Sequence, residues 1–257
     1  MDTAKRYKAV FFDLGGTLRI ALLEEPYMRH ARRKIAEIAG SPMPYEEFYH
    51  MLEERYELYL KWAFGTNKES GDEVLWCKWL LPDYDRTRIK QVCHELSFLY
   101  RQCKGRRVVV DGGVEVIKGL HERGYKLGII SNLIGENEVP DWLEEDGLAE
   151  YFDTVILSSV CGLRKPCSEI YAVACKDIGV APENCVSVTD NVKRDITGAK
   201  EAGIGCSIIF RSPEKKYAVE FTEANRSDAV IEDFREILDL LPPPGGVHIS
   251  ESALRAE

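Results

Sequence analysis

From Val108 to Phe210 the chain alternates between helical and extended periodicity, and this alternation restricts its fold more than any other feature. Val114 to Arg123 reads as a helix ended by Gly124, and Lys126 to Ile130 as a strand. A helix around Trp142 precedes a strand over Thr154 to Leu157. Cys167 to Ile178 is a helix closed by Gly179, followed by a strand over Cys185 to Val188. Val192 to Ala202 is a helix closed by Gly203, followed by a strand over Cys206 to Phe210. Such alternation builds βαβ units, hence a parallel sheet with helices on both faces.

A further strand, Lys8 to Leu14, is apolar, aromatic-rich and stopped by Gly15-Gly16, but a different block follows it. Pro26 to Ala39, Tyr45 to Ala63, Glu73 to Leu81 and Arg86 to Cys103 each carry apolar residues at three- and four-residue spacing. In the second segment Phe48, Met51, Leu52, Tyr56, Tyr59 and Leu60 make the stripe of an amphipathic helix. Pro26, Pro44 and Pro82 stand near the expected helix boundaries. Parallel sheets tolerate insertions in the loops beyond their strands. The expected architecture is therefore a doubly wound, Rossmann-like α/β core of residues 1–20 and 105–241. An all-helical cap of residues 21–104 is inserted after the first strand, and residues 242–257 form a tail opening with Pro242-Pro243-Pro244.

Charge and apolar content narrow the partners. The net charge of -9, with no basic tract, argues against nucleic acid. It leaves small phosphorylated ligands open, because local geometry captures those. No apolar run approaches the roughly 18 residues that span a bilayer. The polar start, Met1 to Lys8, lacks the features of a secretory signal, so a cytoplasmic protein without a membrane partner is expected. The eight cysteines include no C-x-x-C pair and read as reduced, structural thiols.

Ligands of an open parallel sheet bind beyond the carboxyl ends of its strands. Four such ends carry suitable groups: Asp13 in Phe-Phe-Asp-Leu-Gly-Gly-Thr-Leu, Ser131-Asn132, Lys165 in Gly-Leu-Arg-Lys-Pro, and Asp190 with Asp195 in Val-Thr-Asp-Asn-Val-Lys-Arg-Asp-Ile. Each alone reads as a helix cap, a turn or an exposed loop lysine. As an ordered set they resemble the four motifs of the haloacid dehalogenase superfamily, over about residues 8–20 and 108–210. The helical insert resembles that family's cap in position and type, although not by motif.

The resemblance implies a Mg²⁺-dependent hydrolase of a small phosphorylated metabolite. Asp13 would attack phosphorus and form an aspartyl phosphate. Asp13, Asp190 and the main-chain carbonyl of Gly15 would hold the metal, with Asp195 in or beside its shell. Ser131 would donate to a phosphoryl oxygen, and Lys165 would neutralise charge gathering in the transition state. Thr17 and Asn132 would join Ser131 and Lys165 in binding substrate. Converging carboxylates repel one another unless a cation sits among them, and oxygen-only ligation suits Mg²⁺.

One departure matters. Where the family's phosphatases carry a second Asp as general acid and base, this chain has Gly15. Glycine keeps the carbonyl but has no proton to give, and such help is worth about 10²–10⁴ in rate. Three routes stay open: a substrate with a good leaving group, a proton from elsewhere such as Glu24, or binding without turnover. Phosphonate cleavage would need a cap lysine, with Lys34, Lys61, Lys68 and Lys78 as candidates. The family's carbon–halogen cleaving branch fits poorly, since it carries a bulky aromatic in place of Gly15 and uses no metal. Asp13-Leu-Gly-Gly-Thr and Val110-Asp111-Gly112-Gly113 also resemble the phosphate loops of actin- and hexokinase-type sugar kinases, which need ATP. In the cap, Arg29, His30, Arg32, Arg33 and Lys34 read as a solvated helix face or an anion clamp. Tyr56, Tyr59, Trp62, Trp76 and Trp79 read as helix packing.

Overall fold

The structure, a computed structural model, describes residues 7–211, 222 and 226–243. Strand β1 (Ala9–Phe12) is followed by β2 (Arg19–Leu22) and then by helices α1 (Glu25–Ala39) and α2 (Tyr45–Thr66). Next come α3 (Asp72–Val74), which widens into a π-helical turn at Leu75–Leu80, and α4 (Arg86–Gln102). Strand β3 (Arg106–Val109) leads through α5 (Gly113–Glu122), β4 (Lys126–Ser131) and α6 (Glu138–Glu145) to β5 (Thr154–Leu157). Then follow α7 (Ser158–Cys161), α8 (Ser168–Ile178) and β6 (Cys185–Thr189). A π-helical turn, Val192–Ile196, runs into α9 (Thr197–Glu201), with β7 (Cys206–Phe210), β8 (Ala229–Ile231) and α10 (Glu236–Leu240) last.

Six strands form one parallel sheet in the order β5-β4-β1-β6-β7-β8. All four residues of β1 are fully buried, as a central parallel strand requires. Side chains alternate across a strand, so Val10 and Phe12 join Val116, Leu120 and Trp142 on one face. Ala9 and Phe11 join Ile170, Ala174 and Ala199 on the other. The sheet is thus covered twice, which is the doubly wound α/β class.

A separate apolar cluster holds the inserted helices together through Ile35, Phe48, Leu52, Tyr59, Trp76 and Tyr100. Tyr59 lies 5.6 Å from both Trp62 and Trp79, ring centre to ring centre, so the insert's aromatics pack on one another. Trp76 is buried and donates its indole N–H to Ser97 Oγ at 2.8 Å. The basic residues of α1 lie on its outer side: Lys34 pairs with Glu37 at 2.9 Å, and Arg32 and Arg33 cover the rings of Tyr49 and Tyr45.

Three features differ from the expected elements. The insert leaves and returns on a two-stranded antiparallel ribbon, with Arg19 opposite Val109 and Leu22 opposite Arg106. Its residues are all half-buried, so the apolar alternation that marks a strand is missing. The segment over residues 73–81 is a single α-turn continued as a π turn. Strand β8 and helix α10 extend the core beyond Phe210. The eight cysteines are free thiols. The expected tail falls, from residue 244 onward, outside the described residues.

From β1 the chain goes to β4 and β5 on one side, then crosses to β6 on the other. Direction therefore reverses at β1, and the crevice for a ligand opens beyond the ends of β4, β1 and β6.

Candidate active site

Asp13 is the first residue beyond β1, and its backbone N–H still donates to Val188 O of β6 at 2.9 Å. This continuation of the ladder fixes the side chain at the sheet edge, where it is 4% exposed. The chain then turns sharply: Thr17 and Arg19 both donate to Leu14 O, and Gly16 adopts φ +87°, which favours glycine. Gly15 is exposed, and a Cβ built on it would meet no atom within 4 Å.

The neighbouring strands end beside Asp13. Ser131 closes β4, is 3% exposed, and has a hydroxyl without a protein hydrogen-bond partner among the described residues. Asp190 follows β6, and the hydroxyl of Thr17 approaches its Oδ1 at 3.5 Å. Asp195 sits on the π turn, 1% exposed, accepting from the Thr189 hydroxyl, while Tyr171 donates to its backbone carbonyl at 3.0 Å. Carboxylate oxygens of Asp13, Asp190 and Asp195 lie within 4.8 Å of one another.

Lys165 enters this cluster from the loop after α7 and is 2% exposed. Its Nζ lies 2.8 Å from Asp13 Oδ1, 2.9 Å from Ile130 O and 3.0 Å from Asp195 Oδ1, which uses all three ammonium protons. Asn132 clamps the lysine backbone at two points: Nδ2 donates to Lys165 O and Oδ1 accepts from Lys165 N, both at 2.8 Å. One donor and the acceptor of its side-chain amide thus hold Lys165. The insert grips the same loop. Arg164 N donates to Asn67 O, Glu69 N donates to Gly162 O, and the buried Glu69 carboxylate takes Arg164, Tyr59 and Ser158.

Arg194, one residue before Asp195, was absent from the sequence expectations. Its guanidinium Nη2 donates to Asp13 Oδ2 at 3.0 Å and to Asp195 Oδ2 at 3.2 Å, and Nε donates to Asp195 Oδ1 at 3.2 Å. Asn191 Oδ1 caps the Arg194 N–H at 2.9 Å, and the wide π turn brings the arginine back over the sheet edge. Lys193 beside it is exposed, so the sequence offers two adjacent cations with nothing to say which turns inward.

Electrostatics follow from this packing. Burial opposes the charge on Asp195, but Lys165 and Arg194 outweigh it and hold its carboxyl below the ordinary range. By linkage, the stability tied to Asp195 is in full above the ordinary carboxylate pKa and is lost as pH falls through the lowered one. Burial also opposes the charge on Arg194, and Asp195 and Asp13 outweigh it, raising its pKa.

Other expected candidates lie elsewhere. Glu24 is paired at both oxygens with Arg106, at 2.8 and 3.0 Å, and this holds its pKa down, which suits it poorly to donate a proton. Asp111 pairs with Arg235 at 2.9 Å, and the Gly113 N–H donates to Val110 O. Of the cap lysines, Lys34 pairs with Glu37 and Lys78 lies by the Trp79 ring, while Lys61 and Lys68 are exposed.

Helix α9 packs directly on the lysine loop. A Cβ at Gly198 would stand 2.2 Å from Pro166 O, a backbone atom with no freedom to yield. Gly198→Ala is therefore expected to lower stability by about 2–3 kcal/mol, read from urea unfolding, and to reduce any Lys165-dependent activity. Unchanged stability and activity would show that the helix and loop separate easily.

Comparison with known proteins points one way. The sequence profile of the haloacid dehalogenase-like hydrolases matches residues 7–203. A glyceraldehyde 3-phosphate phosphatase of Methanothermobacter thermautotrophicus is 28% identical over 240 residues, covering 91% of this chain and 99% of that protein. The pyrophosphatase PpaX of Halalkalibacterium halodurans is 30% identical over 132 residues, covering 51% of this chain and 59% of its own. A 2-haloacid dehalogenase structure from Pseudomonas syringae superposes with a TM-score of 0.67 at 20% identity, covering 91% of this chain and 98% of that one. At such identity the likeness is one of fold. No described helix is long and apolar enough to cross a membrane.

Proposed function

Since the chain belongs to the haloacid dehalogenase-like hydrolases, we propose that it is a phosphatase of a small phosphorylated metabolite, with Asp13 as its nucleophile. The observation that carries this reading is the meeting of Asp13, Asp190, Asp195 and Lys165 at one sheet edge. Phosphatase names among the relatives support it.

In this reading Asp13 Oδ2 or Oδ1 attacks phosphorus, and the leaving oxygen departs as the aspartyl phosphate forms. Lys165, already bound to Asp13, stays in place to stabilise the charge that builds on the phosphoryl group. The Ser131 hydroxyl supplies a hydrogen bond to a phosphoryl oxygen, and Asn132 keeps Lys165 aimed. Thr17 stands behind Asp190. The inserted helices, residues 21–104, act as a cap that covers the crevice, and the grip of Glu69 on Arg164 ties cap to site.

The donor set fits Mg²⁺: three carboxylates converge with no sulfur or imidazole among them, and Asp13, Asp190, Asp195 and the Gly15 carbonyl would hold it. When bound, the ion would neutralise and orient a phosphate.

Gly15 cannot protonate a leaving group or activate water, so the substrates best served are acyl phosphates and anhydrides. It also favours a second reading, in which a phosphorylated ligand is held with little turnover. Phosphate release from acetyl phosphate, pyrophosphate and glyceraldehyde 3-phosphate in Mg²⁺ tests the proposal. Expected is faster release from the first two, lost in Asp13→Asn. Equal release by Asp13→Asn and wild type would remove Asp13 from the chemistry.

A further inference from the structure

Every carboxylate oxygen of Asp13 and Asp195 already has a donor. Asp13 Oδ1 takes Lys165 and Oδ2 takes Arg194; Asp195 Oδ1 takes Lys165 and Arg194, and Oδ2 takes Arg194 and Thr189. Each Asp13 oxygen keeps a further lone pair, but Arg194 Nη2 bridges Asp13 Oδ2 and Asp195 Oδ2 at 3.0 and 3.2 Å, so a divalent ion that joins these two oxygens needs the place that the guanidinium fills. Lys165 is fixed by Ile130 O and by its clamped backbone, and its side chain is 2% exposed. The Arg194 side chain is 25% exposed, and its hydrogen bonds among the described residues go to these two carboxylates. Arg194 is the group free to leave.

Charge leads to the same choice. Three carboxylates, Lys165 and a divalent ion sum to neutrality, whereas keeping the guanidinium in place leaves excess positive charge among buried groups. A guanidinium and a metal ion compete for the same oxygens, and binding of one lowers affinity for the other.

We infer that Arg194 is an internal counter-cation that competes with the divalent metal for Asp13 and Asp195, so that the metal binds only as the guanidinium swings out. This inference rests on the metal-dependent reading above and adds to it a residue that sets metal affinity. It does not require Arg194 to touch substrate.

Mn²⁺ titration by calorimetry or electron paramagnetic resonance tests it on the wild-type chain, Arg194→Gln and Asp190→Asn. Arg194→Gln is expected to bind Mn²⁺ at least about tenfold more tightly than wild type, within the usual range of coupled sites. Without metal it is expected to melt below wild type, and saturating Mn²⁺ is expected to raise its melting temperature by more. Asp190→Asn is expected to lose binding.

Should Arg194→Gln fold poorly, wild type alone gives the answer. Phenylglyoxal labelling with peptide mapping is expected to modify Arg194 faster with Mg²⁺ than without. Equal or weaker Mn²⁺ binding by Arg194→Gln, or labelling of Arg194 that Mg²⁺ leaves unchanged, overturns the competition and leaves the metal reading standing. No Mn²⁺ binding by wild type or by Arg194→Gln overturns both.

Discussion

Gly15→Asp is expected to raise hydrolysis of alkyl phosphates by about 10²–10⁴-fold over wild type, the usual worth of a placed general acid and base. The substitution has room, because no atom lies within 4 Å of a Cβ at this position and Gly15 is not among the residues with positive φ. The new carboxyl would stand two residues from Asp13, at the mouth of the crevice, where both the leaving oxygen and an attacking water pass. In the first step, release of the leaving group, the gain should be large for alkyl esters and small for acyl phosphates, whose leaving groups need little protonation. Breakdown of the shared aspartyl phosphate should gain with both. Single-turnover release of the leaving group from one substrate of each kind measures the contrast. Equal gains on both, or none on either, would mean that the missing acid is not what limits this site.

Lys165→Met is the second large effect. The substitution keeps the length of the stem and removes the charge that lies between Asp13 and Asp195. Breaking a buried pair by removing one partner costs about 3–5 kcal/mol, because the other charges stay buried. Arg194 still faces both carboxylates, so the cost should fall near 3 kcal/mol. Unfolding in urea reads this, and phosphate release should vanish even where the variant is fully folded. A folded, active Lys165→Met would place the transition-state charge in other hands.

Much of this was legible in the residues themselves. The β1 run Ala9-Val10-Phe11-Phe12 is apolar on both sides because the strand is buried on both sides. Asp13, Lys165, Asp190 and Asp195 are visible because each follows a strand or lies in the loop beyond one, and the sheet topology does the rest. The ribbon of β2 and β3 was hidden because its half-buried residues give no period of two. The Glu69–Arg164 pair joins residues far apart in the chain, and neither stands in a local pattern. The hold of Asn132 on the Lys165 backbone was hidden, since a polar residue at a strand end looks alike whether it faces a ligand, a backbone or both. Arg194 was hidden by register: only the π turn decides that it, and not Lys193, faces inward.

The most direct measurement is to search for a phosphoryl group on the Asp13 side chain. Wild-type protein mixed with acetyl phosphate and Mg²⁺ is quenched in acid, digested, and its peptides weighed. With no base at Gly15 to activate water, the phosphorylated form should accumulate on the peptide holding Asp13, and should be missing from Asp13→Asn. Phosphate released steadily while Asp13 never gains mass, or a phosphoryl group that persists in Asp13→Asn, would contradict a nucleophilic Asp13.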